Sequence, residues 1–145
     1  MNDKQIKKMI RHHEGYMPTV YLDTVKVPTA GYGHAFHLGS KIPHQVAELL
    51  FEQDFDGVKR DYEIITANHG GLVLDPVRRA VLMDMLFNLG LSRLSGFKRM
   101  FRALRKGDYD TASKEMLDSK WARQVGPRAK RLAKMMKTGE PYNNQ

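Results

Sequence analysis

The stretch from Arg11 to His34, R-H-H-E-G-Y-M-P-T-V-Y-L-D-T-V-K-V-P-T-A-G-Y-G-H, decides how the rest of the chain is read. It leaves a helix at Glu14, enters a strand through Val20, Tyr21 and Leu22, turns around Val25 and Lys26, and returns from Val27 to Tyr32. Upstream, Asn2 or Asp3 can cap the helix, and Ile6, Met9, Ile10 and His13 fall on one face at helical spacing. Gly15 suits the position just past a helix end. A carboxylate at that end faces the negative pole of the helix dipole, which favours the neutral acid, the form a proton donor needs. The β-branched and aromatic residues that follow predict a hairpin, and Pro28 predicts an edge strand rather than a central one. That hairpin would carry Asp23 and Thr29 on neighbouring strands. Two carboxylates flanking one bond are what glycoside hydrolysis needs, whereas a single helix-end glutamate reads as a solvated surface residue.

The pattern E-G-Y-x-P-x-V-Y-x-D-x(5)-T-x-G-Y-G-H resembles the phage-type lysozymes, the muramidase endolysins of glycoside hydrolase family twenty-four. The likeness continues through L-F-E-Q-D-F-D (Leu50 to Asp56), D-P-V-R-R-A (Asp75 to Ala80), F-N-L-G (Phe87 to Gly90), S-G-F (Ser95 to Phe97), S-K-W (Ser119 to Trp121) and P-R-A-K-R (Pro127 to Arg131). A triad alone could recur by chance; seven segments in the family's order, spread over nearly the whole chain, are far more specific.

The resemblance implies a mainly helical α+β, lysozyme-like fold, with a small β-hairpin lobe at about 15–43, a long helix at about 44–66 and a helical lobe of about 1–14 and 67–139. It implies hydrolysis of the β-1,4 bond between N-acetylmuramic acid and N-acetylglucosamine in peptidoglycan, with Glu14 as general acid, Asp23 as base or cation stabiliser and Thr29 placing the water. Family members of this type are regarded as inverting, which goes with carboxyl groups roughly 6.5–9.5 Å apart. Four further positions carry over. Asn88 stands where the family commonly has a Gln near the acid, and Arg128 matches an arginine that pairs with the acid and would favour its ionised form, against the helix dipole. His34 matches a histidine that pairs with the aspartate at Asp54. Gly31, like Gly33, allows a tight bend or close backbone approach.

Length and composition agree with one domain. The 145 residues, 41% hydrophobic, suffice for one sizeable core, and the lack of cysteine leaves no disulfide for the fold to depend on. The charged start lacks the apolar run of a signal peptide, and no segment is apolar enough to span a membrane, so the chain is expected to be soluble where it is made, which the resemblance implies is the host cytoplasm. By the resemblance, another protein would permeabilise the membrane before the wall is reached. The net charge of +8 is unevenly placed: residues 1–96 balance eleven basic against eleven acidic side chains, while residues 97–139 hold thirteen against four. Such a surface attracts anionic lipid, cell-wall polymers or nucleic acid without choosing among them, though no groove-reading motif for DNA is visible.

Further along, Val46, Leu49, Leu50, Phe55, Val58, Tyr62 and Ile65 keep to one broad face of the long helix, on the order of 30 Å in length, whose counterpart in the family joins two lobes. The short connection A-F-H-L-G-S-K-I-P before it predicts a small lobe reduced to little more than the hairpin. Asp75 followed by Pro76 is a strong helix start, opening a run apolar over most of its circumference. Met83, Met85, Met100, Met116, Met135 and Met136 read as core fillers. Ser92, Ser95, Asp108 and Ser119 read as caps, Gly126 and Pro127 as a break and restart, Gly139 as a stop, and P-Y-N-N-Q as a frayed tail. Trp121 has two readings, a sugar platform or a core anchor, and its apolar neighbours favour the second. His34, His37 and His44 lack metal-site spacing, so neither metal nor cofactor is expected. A monomer acting on glycan strands is the favoured reading. The alternatives are a lytic transglycosylase with one essential acid, or a non-enzymatic cationic protein that binds membranes or nucleic acid.

Overall fold

The computed structural model describes residues 1–142, so of the tail expected to fray, residues 143–145 lie outside the described residues. The described chain is mainly helical with one small antiparallel sheet, as an α+β lysozyme-like fold requires. It divides into two compact units, Met1–Val46 and Ala47 onward.

The first unit opens with α1 (Asp3–Glu14). Asn2 caps it: its side chain accepts from the Gln5 N–H while the Gln5 side chain accepts from the Asn2 N–H, satisfying two donors that a helix start leaves unpaired. Gly15, at φ 70°, ends the helix and returns its N–H to the Arg11 carbonyl. Three strands follow, β1 (Met17–Leu22), β2 (Pro28–Gly31) and β3 (His34–Ala35), in the order β1-β2-β3. Tyr21 pairs with Thr29, Leu22 with Pro28, and Ala30 with His34.

This corrects the expectation for Pro28. The strand it opens is central, because β3 pairs along its other side. Proline is tolerated there because it is the first residue of the strand, and its carbonyl still accepts from the Phe36 N–H at 2.8 Å.

The long helix α2 (His44–Asn68) runs two residues beyond the expected end. The N–H groups of His69, Gly71 and Leu72 all return to the Thr66 carbonyl, which closes the helix. From Ala47 on, α2 belongs to the second unit and supplies Val58, Tyr62 and Ile65 to its core. The remaining helices are α3 (Pro76–Leu89), α4 (Leu91–Ser95), α5 (Lys98–Arg105), α6 (Tyr109–Leu117), α7 (Lys120–Val125) and α8 (Pro127–Thr138). Within this unit α8 packs on α3, α6 and α7, and α6 on α5. Leu82, Met85, Leu94, Met100, Phe101, Met116 and Met136 are fully buried between them, so five of the six methionines expected as filler lie in the core and Met135 packs against it. The buried Ser113 hydroxyl donates to the Ala133 carbonyl at 2.8 Å, tying α6 to α8 without an unpaired polar group.

Asp108 and Ser119 cap α6 and α7 as expected, with the Thr111 and Ala122 N–H groups donating to them. Ser92 and Ser95 do not cap. Gly90 precedes α4, Ser92 lies inside it, and the Ser95 hydroxyl donates backwards to the Leu91 carbonyl, the alternative open to a serine within a helix.

Asp75 caps α3, accepting from the Val77 and Arg78 N–H groups and from the Arg78 guanidinium at 2.9 Å. Partial burial works to raise its pKa, but the Arg78 backbone and side-chain hydrogen bonds and the Arg78 charge together hold it below the usual aspartate value. Its contribution to stability is therefore complete above the unfolded carboxylate pKa and is lost as pH falls through the lowered folded value. Thermal melts between roughly pH 2 and 5 should show the wild type losing stability faster on acidification than Asp75→Asn. Equal slopes would remove Asp75 from the acid response.

Candidate active site

Asp23 sits where β1 gives way to the hairpin turn, and the turn is built on it. Its Oδ1 accepts from the N–H groups of Val25 and Val27 at 2.9 and 2.8 Å, while its own N–H donates to the Val27 carbonyl. These bonds hold Lys26 at φ 64°, the sole positive φ outside glycine among the described residues. One carboxylate oxygen thus serves the fold, and Oδ2 has no protein donor among the described residues.

Thr29, on β2, is the one buried polar residue of the first unit, 4% exposed. Its hydroxyl donates to the Val27 carbonyl at 2.8 Å. Val27 therefore links the two candidates: its N–H holds Asp23, and its carbonyl receives both the Asp23 N–H and the Thr29 hydroxyl. The residue types at 23 and 29 were legible in the sequence; this shared backbone partner was not, since Val27 carries no chemical signal.

Glu14, the last residue of α1, is brought to the same sheet by the β2–β3 turn. Its carboxyl group lies against the α carbon of Gly33, close enough that a methyl there would stand 2.8 Å from Cδ. Gly31, at φ 66°, has open space around it, so of the two glycines in G-Y-G-H it is Gly33 that makes the close approach. His34 stands edge-on to Phe36, ring centroids 4.9 Å apart.

The supporting residues of the second unit have partners of their own there. The Trp121 indole N–H donates to Asn88 Oδ1 at 2.7 Å, and Trp121 is 3% exposed with Phe97 against its ring, which makes it a core anchor and ties Asn88 to the core. Arg128, which the resemblance set opposite the acid, is gripped by Asp84 through Nε at 2.8 Å and Nη2 at 2.7 Å. Asp84 had no distinguishing signal in the sequence. Asp54 lines a surface depression with Gln53, Gly57, Arg60 and Asp61. Among the described residues no group of three His, Asp or Glu side chains could hold a metal ion, and no helix is long and apolar enough to cross a membrane.

Comparison with known proteins bears on what this geometry serves. The sequence model of the phage lysozyme family matches residues 11–137. The chain belongs to that family. It is 27% identical to probable T4-type lysozyme 1 of Dictyostelium discoideum, over 92% of this chain and 94% of that one, and 24% identical to probable T4-type lysozyme 2 of the same organism, over the same shares. It is also 29% identical to the pre-baseplate central spike protein Gp5 of Enterobacteria phage T4, over 91% of this chain but only 27% of that protein. This lysozyme is accordingly a glycoside hydrolase of the muramidase type, acting on peptidoglycan.

Proposed function

We infer that this lysozyme cleaves the β-1,4 bond between N-acetylmuramic acid and N-acetylglucosamine by a single displacement. Glu14 protonates the departing glycosidic oxygen, Asp23 takes a proton from water through the free Oδ2, and Thr29 helps to place that water. The observation that carries this reading is the division of labour at Asp23, one oxygen locked by two backbone N–H groups and the other without a protein donor among the described residues, which fixes the carboxylate's direction without occupying it. A base that must act at one point in space gains from being held in this way.

The same geometry selects the test. Asp23→Asn keeps an oxygen able to accept from Val25 and Val27, so the turn survives while the base is lost; Asp23→Ala removes both. Asp23→Asn is expected to melt near the wild-type temperature and to turn over purified peptidoglycan about a hundredfold more slowly. In wild-type digests followed from the first minutes by proton NMR, the first-formed sugar end should be the α anomer, as single displacement requires. Undiminished turnover by Asp23→Asn would instead favour a transglycosylase with one essential acid, and a first-formed β anomer would mean a retaining route.

The thirteen basic residues between 97 and 139 add a general attraction to the anionic polymers and lipids of a bacterial envelope, and wall binding should weaken as salt rises. In this reading the protein waits in the host cytoplasm as a monomer, and lyses the cell once another protein opens the membrane.

A further inference from the structure

The β2–β3 turn presents its backbone to the candidate proton donor at one residue. Gly33 has φ 68° and no side chain, and the Glu14 carboxyl rests against its α carbon. An alanine methyl built at 33 would stand 2.8 Å from Glu14 Cδ and 3.3 Å from Cγ, and closer still to Oε2. Carbon atoms in contact ordinarily keep about 3.5–4.0 Å apart, so any side chain at 33 displaces the carboxyl group by about 1 Å. The conformation alone does not set Gly33 apart. Gly15, Gly31 and Gly39 of the same unit also have positive φ, but a methyl on any of them would meet nothing within 4 Å.

We propose that Gly33 is a positioning residue for Glu14, its bare α carbon forming the stop against which the carboxyl group is held. This deepens the function proposed above and rests on it. Glutamate has three rotatable side-chain bonds, and at a helix end little packing limits them. A backbone surface close under Oε2, Cδ and Cγ removes part of the arc the carboxyl group can sweep and brings the proton to a repeatable place. A side chain at 33 would supply a bulkier stop in the wrong position. The consequence is selective: misplacing an acid by about 1 Å can cost on the order of a hundredfold in turnover while leaving substrate binding alone.

Gly39 provides the control, because Gly39→Ala meets a positive φ of 85° in open space and touches no proposed site residue. Peptidoglycan turnover, melting temperature and the pH profile of kcat are compared for wild type, Gly33→Ala, Gly33→Ser, Gly39→Ala and Glu14→Gln. Gly33→Ala should lose roughly 10- to 100-fold in kcat with KM nearly unchanged, and its pH profile should move on the limb that reports the acid. Gly33→Ser should lose more, while Gly39→Ala keeps the wild-type kcat. Wild-type kcat and profile in Gly33→Ala, beside an inactive Glu14→Gln, would overturn the positioning role and leave the acid assignment standing. An active Glu14→Gln would overturn the acid assignment and this proposal with it. If Gly33→Ala does not fold, NMR of the wild type decides: nuclear Overhauser contacts between the Gly33 α protons and the Glu14 γ protons support the stop, and their absence overturns it.

Discussion

Glu14→Gln should reduce hydrolysis of purified peptidoglycan by about a thousandfold while leaving the fold and wall binding intact. The amide matches the carboxyl group in shape, so the seat over Gly33 is preserved and α1 keeps both its caps. In the proposed mechanism, what is lost is the proton that neutralises the leaving oxygen. Because general acid catalysis acts only in the transition state, kcat should fall while KM holds. A rise in KM alone, with kcat retained, would place Glu14 in substrate binding. The same variant separates enzymatic from non-enzymatic killing: if the basic residues of the last third acted by themselves on membranes, Glu14→Gln would kill bacteria as well as the wild type does.

The second large effect is on stability, at Arg78. Its Nε donates to the Met136 carbonyl at 2.7 Å and Nη2 to the Lys137 carbonyl at 3.0 Å, while Nη1 meets Asp75 and the guanidinium lies 3.5 Å over the Tyr109 ring. One side chain on α3 thus closes the C-terminus of α8, satisfies carbonyls the helix leaves unpaired, balances the helix dipole and helps to hold the Asp75 cap. The guanidinium fork makes these contacts at once; an ammonium could not. Arg78→Ala should cost about 3 kcal/mol, and Arg78→Lys should recover less than half of that. In a thermal melt the alanine variant should unfold about 10 °C below the wild type. A loss within 2–3 °C would show the clamp to be dispensable. Gly139→Ala should also destabilise, because its methyl would stand 2.9 Å from Arg78 Nη1 at a backbone φ of 72°.

This clamp marks the limit of what the sequence discloses. Arg78 and its acceptors lie 58 and 59 residues apart, and backbone carbonyls carry no residue-type signal, so nothing in D-P-V-R-R-A distinguishes Arg78 from Arg79. Local chemistry is legible by contrast. Asn2, Asp75, Gly126–Pro127 and Gly139 each act within a few residues of themselves, and each starts or stops a helix where its conformational preference requires. The methionines were legible because an apolar run at helical spacing has one place to go.

The failures have the same explanation. Pro28 looked like an edge residue because β3 is only two residues long, too short for any alternation to announce, and it is β3 that makes β2 central. Ser92 and Ser95 have the composition of caps, but Gly90 begins α4 before either of them. At the candidate site the titratable residues stood out and their supports did not. Val27 joins Asp23 to Thr29 through backbone groups, Asp84 holds Arg128 across 44 residues, and Gly33 differs from Gly31 only in what lies opposite.

The proposed chemistry is tested most directly by digesting purified peptidoglycan in oxygen-eighteen-labelled water with wild type and Glu14→Gln, and weighing the fragment ends by mass spectrometry. Wild type should yield reducing N-acetylmuramic acid ends that each carry one labelled oxygen, and Glu14→Gln should yield almost none. Unlabelled anhydro ends from the wild type, or labelled ends released at an undiminished rate by Glu14→Gln, would contradict it.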